Sequence, residues 1–302
     1  MTIPTPLPDV ASNSTTHLPI DQVGMANISI PILLEIDKQT LSCPASVSIQ
    51  ANVVNDQKGL HMSRMYQSLQ GLVQTPLTPR NIKTCLIEAL QQQREVASSD
   101  IHMTLESKVL RIRHALHTDQ FGWNSYPIQL TANYNPSQGF KLELSVTITY
   151  SSSCPASAAL SRSALKEAFL DQFHYAPNKL DKQQLAAWLD QQGTLAIPHS
   201  QRSHAVVTVV ADQDNLEIEA LIDLCETTLG TPVQTYVKRK DEQQFAINNG
   251  QNPMFVEDAT RRLMEVLSAH GYQGSLSVSH FESLHGHDAV AHSTFPQEVA
   301  PA

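Results

Sequence analysis

The stretch Ile101–Leu116, IHMTLESKVLRIRHAL, decides the fold class, because Ile101, Met103 and Leu105 alternate with polar residues. Alternation with a period of two places successive side chains on opposite faces of a strand, so the stretch predicts a long β-strand with one buried face. Pro127–Tyr150 contains a similar pattern and is predicted as a second long strand. The chain is therefore expected to be built on a sheet.

Two shorter strands and a helix are predicted before these long strands. The strands span Ile32–Asp37 and Ala45–Val54. Thr78 followed by Pro79 is typical of an N-cap with proline at the first helical position, and the predicted helix runs from there to Val96. Residues 21–150 are thus expected to form one β-β-α-β-β unit.

The second half, residues 151–290, is predicted as another unit of helices and strands. A strand is expected at Ala205–Ala211, a short one at Val233–Val237, and a helix opens at Asn252–Pro253. The helical segment near 164–197 is interpreted as an insertion. The ends, 1–20 and 291–302, are predicted as flexible tails, the first because it is rich in Pro, Ser and Thr.

Composition excludes several classes of protein. The 302 residues are 41% hydrophobic, enough for a packed core, and the net charge of −9 leaves no general basic field for nucleic acid. No apolar run approaches the roughly 20 residues of a membrane span, and residues 1–13 lack the basic start of a secretory signal. We therefore expect a cytoplasmic protein that binds neither nucleic acid nor membranes.

Among the four cysteines, Cys154 is the candidate for chemistry. It follows three serines at the end of a predicted strand, where a thiol can be exposed and ionised. Cys85 and Cys225 lie on apolar helical faces and are expected in the core, and Cys43 is expected to be structural. His199 lies in a polar loop, where it is either solvated or functional.

Three further segments each admit a structural and a functional interpretation. Lys238–Glu242 is either a solvated charged turn or a local site for phosphates, with Glu242 as a ligand or acid–base group. Glu257 near a helix start either pairs with Arg261 or contacts a ligand. Glu282–Asp288 holds carboxylate and imidazole groups at short spacing, which form either a surface histidine patch or a divalent metal site.

Taken in order, these segments resemble one family, the prokaryotic type IB GTP cyclohydrolases. The resemblance covers about residues 7–290. It rests on Leu7–Val10, Val23–Gly24, Lys58–Arg64, Ser153–Pro155, His199–Ser203, Lys238–Glu242, Asn252–Asp258 and Glu282–Ala289.

The resemblance implies an α+β fold of tandem tunnelling-fold units, with antiparallel sheets and helices packed on one face, assembled into a homotetramer. It also implies a hydrolase that converts GTP and water to formate and 7,8-dihydroneopterin triphosphate, the first step of tetrahydrofolate and pterin biosynthesis. The alternatives are another tunnelling-fold purine or pterin enzyme and a non-catalytic metal- or nucleotide-binding homologue.

The resemblance further implies one divalent metal per site, zinc or manganese with iron as a third candidate, and no organic cofactor. Soft thiolate with imidazole suits zinc, and added carboxylate admits manganese. Glu257 is expected to hold the guanine edge. The implied metal ligands are Cys154, His199, Glu242, Glu282 and His285, of which Cys154, His199, Glu282 and His285 are also the implied catalytic residues. The implied triphosphate ligands are Lys58, Arg64, Arg202, Lys238 and Arg239.

Overall fold

A computed structural model describes residues 18–54, 59–175, 179–212 and 214–296. The predicted tail at 1–20 therefore lies almost entirely outside the described residues, as do Leu7–Val10, Lys58 and residues 297–302. Within the described ranges, no helix combines the length and apolar character needed to cross a bilayer.

Eight strands form one sheet in which neighbours follow chain order. The strands are β1 Ile20–Ile36, β2 Gln39–Val53, β3 Ile101–His114, β4 Phe121–Asn135, β5 Gly139–Ser153, β6 Ser200–Val210, β7 Gly274–His280 and β8 Ala289–Phe295. The helices are α1 Met62–Ser68, α2 Pro79–Gln91, α3 Pro155–Gln172, α4 Lys182–Gln192, α5 Ile218–Leu229, α6 Arg239–Gln251 and α7 Val256–Ala269. Two short 3₁₀ turns, Leu69–Val73 and Arg94–Val96, flank α2.

The expectation of tandem tunnelling-fold units with separate sheets is wrong. The described strands form a single eight-stranded sheet, with antiparallel ladders between β1 and β2, β2 and β3, β4 and β5, and β7 and β8. An unpaired strand edge leaves a row of backbone N–H and C=O groups without partners, and continued pairing satisfies them. Alternation along the chain predicts strands but does not reveal where a sheet ends.

The single strand predicted at Pro127–Tyr150 is also wrong, because the chain reverses between β4 and β5. Asn135 pairs with Gly139 across the turn, and Asn135 Oδ1 accepts hydrogen bonds from the backbone N–H and hydroxyl of Ser137. Gly139 has a φ of +86°. Pro136 has no N–H for a ladder, and Asn and Gly favour turns, so the local chemistry interrupts an otherwise continuous alternation.

Two smaller expectations also fail. The tail predicted from residue 291 contributes Ala291 to β8, where it pairs with Val278 of β7, because the open edge of β7 supplies backbone partners. Val233–Val237 is not a strand but an irregular segment that leads into α6. The segment 164–197, predicted as helical, holds the second half of α3 and all of α4.

The chain divides into two compact units. Unit 1 comprises 1–111, 125–146 and 208–221, and unit 2 comprises 112–124, 147–207 and 222–302. In unit 1, α2 begins at its Thr78 cap, as predicted, and buries Ile82, Leu86 and Ala89. The opposite-facing residues of β2 stay partly exposed, so burial of one sheet face accounts for the alternation in this unit.

In unit 2, the core lies beneath the ends of the strands that carry the predicted site. Tyr150 of β5, Ala205 of β6 and Val278 of β7 are buried. Helix α7 buries Ala259 and Leu263 on its apolar stripe, as the spacing of apolar residues indicates. The polar ends of β5 and β6 therefore adjoin a packed apolar core.

Candidate active site

Cys154 lies where β5 gives way to α3. It is the N-cap residue of α3, and its Sγ accepts a hydrogen bond from the backbone N–H of Ser157 at 3.5 Å. Its own N–H donates to the carbonyl oxygen of His199 at 3.1 Å. Pro155 at the first helical position forces the chain into α3 immediately after the thiol. The two predicted ligands are thus joined through the backbone, although α3 and α4 separate them in sequence.

The side chains of His199 and Glu282 are in contact. His199 Nδ1 lies 3.5 Å from Glu282 Oε2, and the two side chains are 18% and 12% exposed. His199 immediately precedes β6. Glu282 is the second residue after the end of β7, with Phe281 between them. The structure therefore brings the side chains of His199 and Glu282 into contact and links His199 to Cys154 through the backbone.

The residue at the centre of this group, Gln201, was missed by sequence reasoning. Its amide contacts His199 Nδ1 at 3.0 Å and Glu282 Oε1 at 3.2 Å, and it donates to Ser152 Oγ at 3.1 Å. Ser152 in turn contacts Ser203 Oγ at 2.8 Å. The signal in the sequence was the replacement of alternating apolar residues by serine at the end of β5.

A cavity of about 650 Å³ adjoins this group in unit 2. Arg202 and Glu242, both predicted as site residues, line it together with Gln201. Other lining residues are Tyr150, Ser151, Ser200, Val233, Gln234, Val237, Phe245, Ala246 and Asn249. The wall thus combines one cation, one carboxylate and several amides and hydroxyls with apolar surface, as in sites for polar organic ligands.

The basic run Lys238–Lys240 forms the exposed start of α6, with Glu242 one turn inside the helix. The run is neither a strand end nor a free turn. Asp241 is buried there, and it accepts hydrogen bonds from the N–H groups of His117, Thr118 and Lys238 and from the Thr118 hydroxyl. Burial alone would raise the pKa of the Asp241 carboxyl, but these hydrogen bonds outweigh it and hold that pKa well below its usual range.

Asp241→Asn should lower the melting temperature several times more than Asp258→Asn, as measured by thermal unfolding of both variants. Asp258 caps α7 with the same geometry, and its Oδ2 accepts from the N–H of Phe255, but its side chain is 39% exposed. The buried carboxylate of Asp241 carries four donors, and an amide in its place leaves some of them without an acceptor. Equal losses for the two variants would contradict this assignment.

Glu257 lies exposed in the first turn of α7. Arg261 pairs with Asp258, at 3.8 Å, and Glu257 acts electrostatically on His280. His280 is buried against the hydroxyl of Tyr150, 2.9 Å from its Nε2, and burial lowers the pKa of His280 to about 4 although Glu257 and Asp258 oppose this. Glu257 therefore lies in the same unit as the candidate site, with its carboxylate exposed.

The remaining predicted residues lie in other surroundings. His285 is exposed in the loop between β7 and β8, where its ring stacks on that of His287 with centroids 5.1 Å apart. Arg64 belongs to unit 1 and contacts Glu95 at 3.3 Å and the carbonyl of Gln92 at 3.4 Å. Lys58 lies outside the described residues.

The chemistry of the donors fits a divalent metal, but their arrangement is not a closed metal site. Cys154, His199 and Glu282 offer thiolate, imidazole and carboxylate, and the last two are in contact. Over residues 18–54, 59–175, 179–212 and 214–296, however, no three Cys, His, Asp or Glu side chains lie close enough together to hold one ion. The described chain thus assembles part of the predicted ligand set.

The four thiols differ sharply in their surroundings. Burial raises the pKa of Cys85 and Cys225 to about 12 and also raises that of Cys43, while Cys154 is half-buried. Iodoacetamide at pH 8 should therefore alkylate Cys154 at least about 100-fold faster than Cys85 or Cys225, as followed by peptide mass spectrometry. Labelling in guanidinium, where all four should react alike, is the control. Faster labelling of either helical cysteine would refute the burial argument.

Comparison with known proteins shows which family the chain is similar to. The family model described as type I GTP cyclohydrolase folE2 matches residues 7–291. GTP cyclohydrolase FolE2 of Pseudomonas syringae pv. tomato is 43% identical over 296 residues, covering 96% of this chain and 98% of that protein. The enzyme of the same name from Azotobacter vinelandii is also 43% identical, covering 96% and 99%.

Among solved structures, the uricase of Arthrobacter globiformis aligns with 98% of both chains at 8% identity and a TM-score of 0.48. The resemblance to GTP cyclohydrolases that the motifs indicate is confirmed, with FolE2 rather than type IB as the matching name. The chain belongs to the type I GTP cyclohydrolase FolE2 family.

Proposed function

We propose that this protein is a GTP cyclohydrolase that converts GTP and water to formate and 7,8-dihydroneopterin triphosphate in folate biosynthesis. Family membership over residues 7–291 supports the reaction. The observation that supports its location is that His199 contacts Glu282 and is bonded through its backbone to Cys154. These residues adjoin the cavity that Arg202 and Glu242 line. The reaction adds water to C8 of the guanine ring and then releases that carbon as formate.

The side chains at the site are suited to different parts of the reaction, namely proton transfer and the binding of GTP. The imidazole of His199 and the carboxylate of Glu282 can hold and pass the protons that move when water adds to C8 and the ring opens. Arg202 and the exposed cations at the start of α6 offer positive charge for the triphosphate. The carboxylate of Glu257 can accept two N–H bonds from guanine N1 and N2.

A divalent metal, zinc or manganese, is part of this proposal. When bound, such an ion would lower the pKa of a coordinated water to about 7 and so would make hydroxide available at neutral pH. Cys154 and His199 are the proposed first ligands because a backbone hydrogen bond joins them, and Glu242, Glu282 and His285 are candidates for completing the set. We also propose that the protein acts in the cytoplasm as a homotetramer, on the strength of its resemblance to its family.

Turnover of GTP by chelator-treated protein, reloaded with zinc, manganese or iron in turn, tests the function. Formate and 7,8-dihydroneopterin triphosphate should appear in equal amounts after reloading and not before. Release of formate without the pterin product, or no turnover with any of the three metals, would overturn the proposed reaction. Light scattering of the same samples measures the oligomeric state.

Glu257→Gln should raise the KM for GTP by about 10- to 100-fold and change kcat little. The amide keeps the shape but loses the charge that strengthens bonds to N–H donors, which costs roughly 1.5–3 kcal/mol. Steady-state kinetics measures the split, and metal content by mass spectrometry should equal that of the wild type. An unchanged KM would remove Glu257 from the guanine site.

A further inference from the structure

Gln201 is buried in unit 2, and both the oxygen and the nitrogen of its side-chain amide make hydrogen bonds. The residue is 8% exposed, and its amide contacts His199, Glu282 and Ser152 at 3.0–3.2 Å. In the proposed reaction this residue has no role of its own. A buried amide with three polar partners is ordered in one orientation, since turning it over would mismatch donors and acceptors.

The carboxylate of Glu282 determines that orientation. An ionised carboxylate only accepts hydrogen bonds, so the group 3.2 Å from Glu282 Oε1 must be the amide nitrogen of Gln201. The second hydrogen of that nitrogen points to Ser152 Oγ, and the Ser152 hydroxyl is then free to donate to Ser203 Oγ. Both amide hydrogens are used, and the amide oxygen is left facing His199.

An amide oxygen is only an acceptor, so it determines which nitrogen of His199 carries the proton. Nδ1 lies 3.0 Å from Gln201 Oε1 and 3.5 Å from Glu282 Oε2, and both neighbours accept hydrogen bonds. The hydrogen of neutral His199 therefore sits on Nδ1, and Nε2 keeps its lone pair. That lone pair is the one a metal ion or a proton from water would take.

We propose that Gln201 is a positioning residue that holds His199 in the Nδ1–H tautomer and orients Glu282 beside it. The proposal rests on the proposed function for its catalytic meaning, because the basic Nε2 is useful only if His199 takes part in the reaction. Residues that orient a functional imidazole in this way typically contribute about 10- to 100-fold to activity or metal affinity.

Gln201→Met removes the amide and keeps the length of the side chain. It should lower kcat for GTP by about 10- to 100-fold and leave KM within a few-fold of the wild type. Gln201→Glu restores an acceptor for Nδ1–H but places a second carboxylate beside Glu282. The Gln201→Glu variant should keep the Nδ1–H tautomer of His199, but its kcat should stay below that of the wild type.

The tautomer is measured separately from turnover by nitrogen-15 spectroscopy of protein labelled in its histidine rings, with the His199 signal assigned by its absence in His199→Gln. The wild type and Gln201→Glu should show Nδ1–H, and Gln201→Met should show a mixture of tautomers. Gln93→Met is the matched control, because Gln93 is a buried residue of unit 1 whose side-chain amide is hydrogen-bonded to the main-chain N–H and carbonyl oxygen of His61. It should lower the melting temperature without changing the His199 signal or kcat.

An Nε2–H signal in the wild type would overturn the proposal, as would an unchanged tautomer or unchanged kcat in Gln201→Met. A loss of stability alone in Gln201→Met would assign the residue a structural role and would overturn it equally. Failure of the proposed function is distinguishable, because absent GTP turnover in the wild type leaves the tautomer measurement intact.

Discussion

Cys154→Ser is expected to lower kcat/KM for GTP by at least about 10³-fold, because a metal-assisted step that loses a ligand forfeits several kcal/mol of transition-state stabilisation. The melting temperature should stay the same or rise slightly. Serine is a preferred N-cap, and its hydroxyl can accept the bond from the N–H of Ser157 that Sγ accepts now. Steady-state kinetics, thermal unfolding and metal content of the purified variant measure the three effects.

The matched control for this change is Cys43→Ser. Cys43 is a buried residue of β2 in unit 1, so the hydroxyl should cost stability and leave kcat/KM intact. Wild-type turnover in Cys154→Ser would remove the thiol from the mechanism. A variant that loses activity but keeps its full metal content would show that the thiol acts in some way other than as a ligand.

Glu282→Gln is expected to lower kcat by about 10²- to 10³-fold, the usual contribution of a positioned proton-transfer group. The change removes the negative charge near His199 Nδ1. The carbonyl oxygen of the new amide can still accept from Gln201 Nε2, which now donates to the carboxylate at 3.2 Å. Its NH2 group then takes the place of Oε2 and faces Nδ1–H of His199, donor against donor, so His199 loses part of its orientation.

Glu265→Gln provides the control for this charge change, because Glu265 is an exposed residue of α7 in the same unit. Its kcat and melting temperature should match those of the wild type. Full activity in Glu282→Gln would contradict the proton-transfer role and would leave the contact with His199 as a structural feature.

Local pattern was enough to predict several elements of the fold. The alternation after Ile101 predicts β3, and Thr78–Pro79 predicts the start of α2, because backbone and capping preferences act over a few residues. The turn between Asn135 and Gly139 was also indicated locally, by Asn, Pro and Gly residues that favour turns. The alternation on either side of it nevertheless favours one long strand. The joining of all eight strands into one sheet depends on pairing between distant segments, and alternation does not encode it.

By itself, the sequence indicated which side chains could carry the chemistry and which family their order resembles. The types and order of Cys154, His199 and Glu282 were sufficient for that. Only the tertiary structure decided that His199 contacts Glu282, with Gln201 between them, and that the backbone of Cys154 bonds to that of His199. It also decided that His285 stacks on His287 instead. The reason is physical: residue types set what each group can donate, accept or ligate, whereas distances between remote groups follow from strand pairing and core packing.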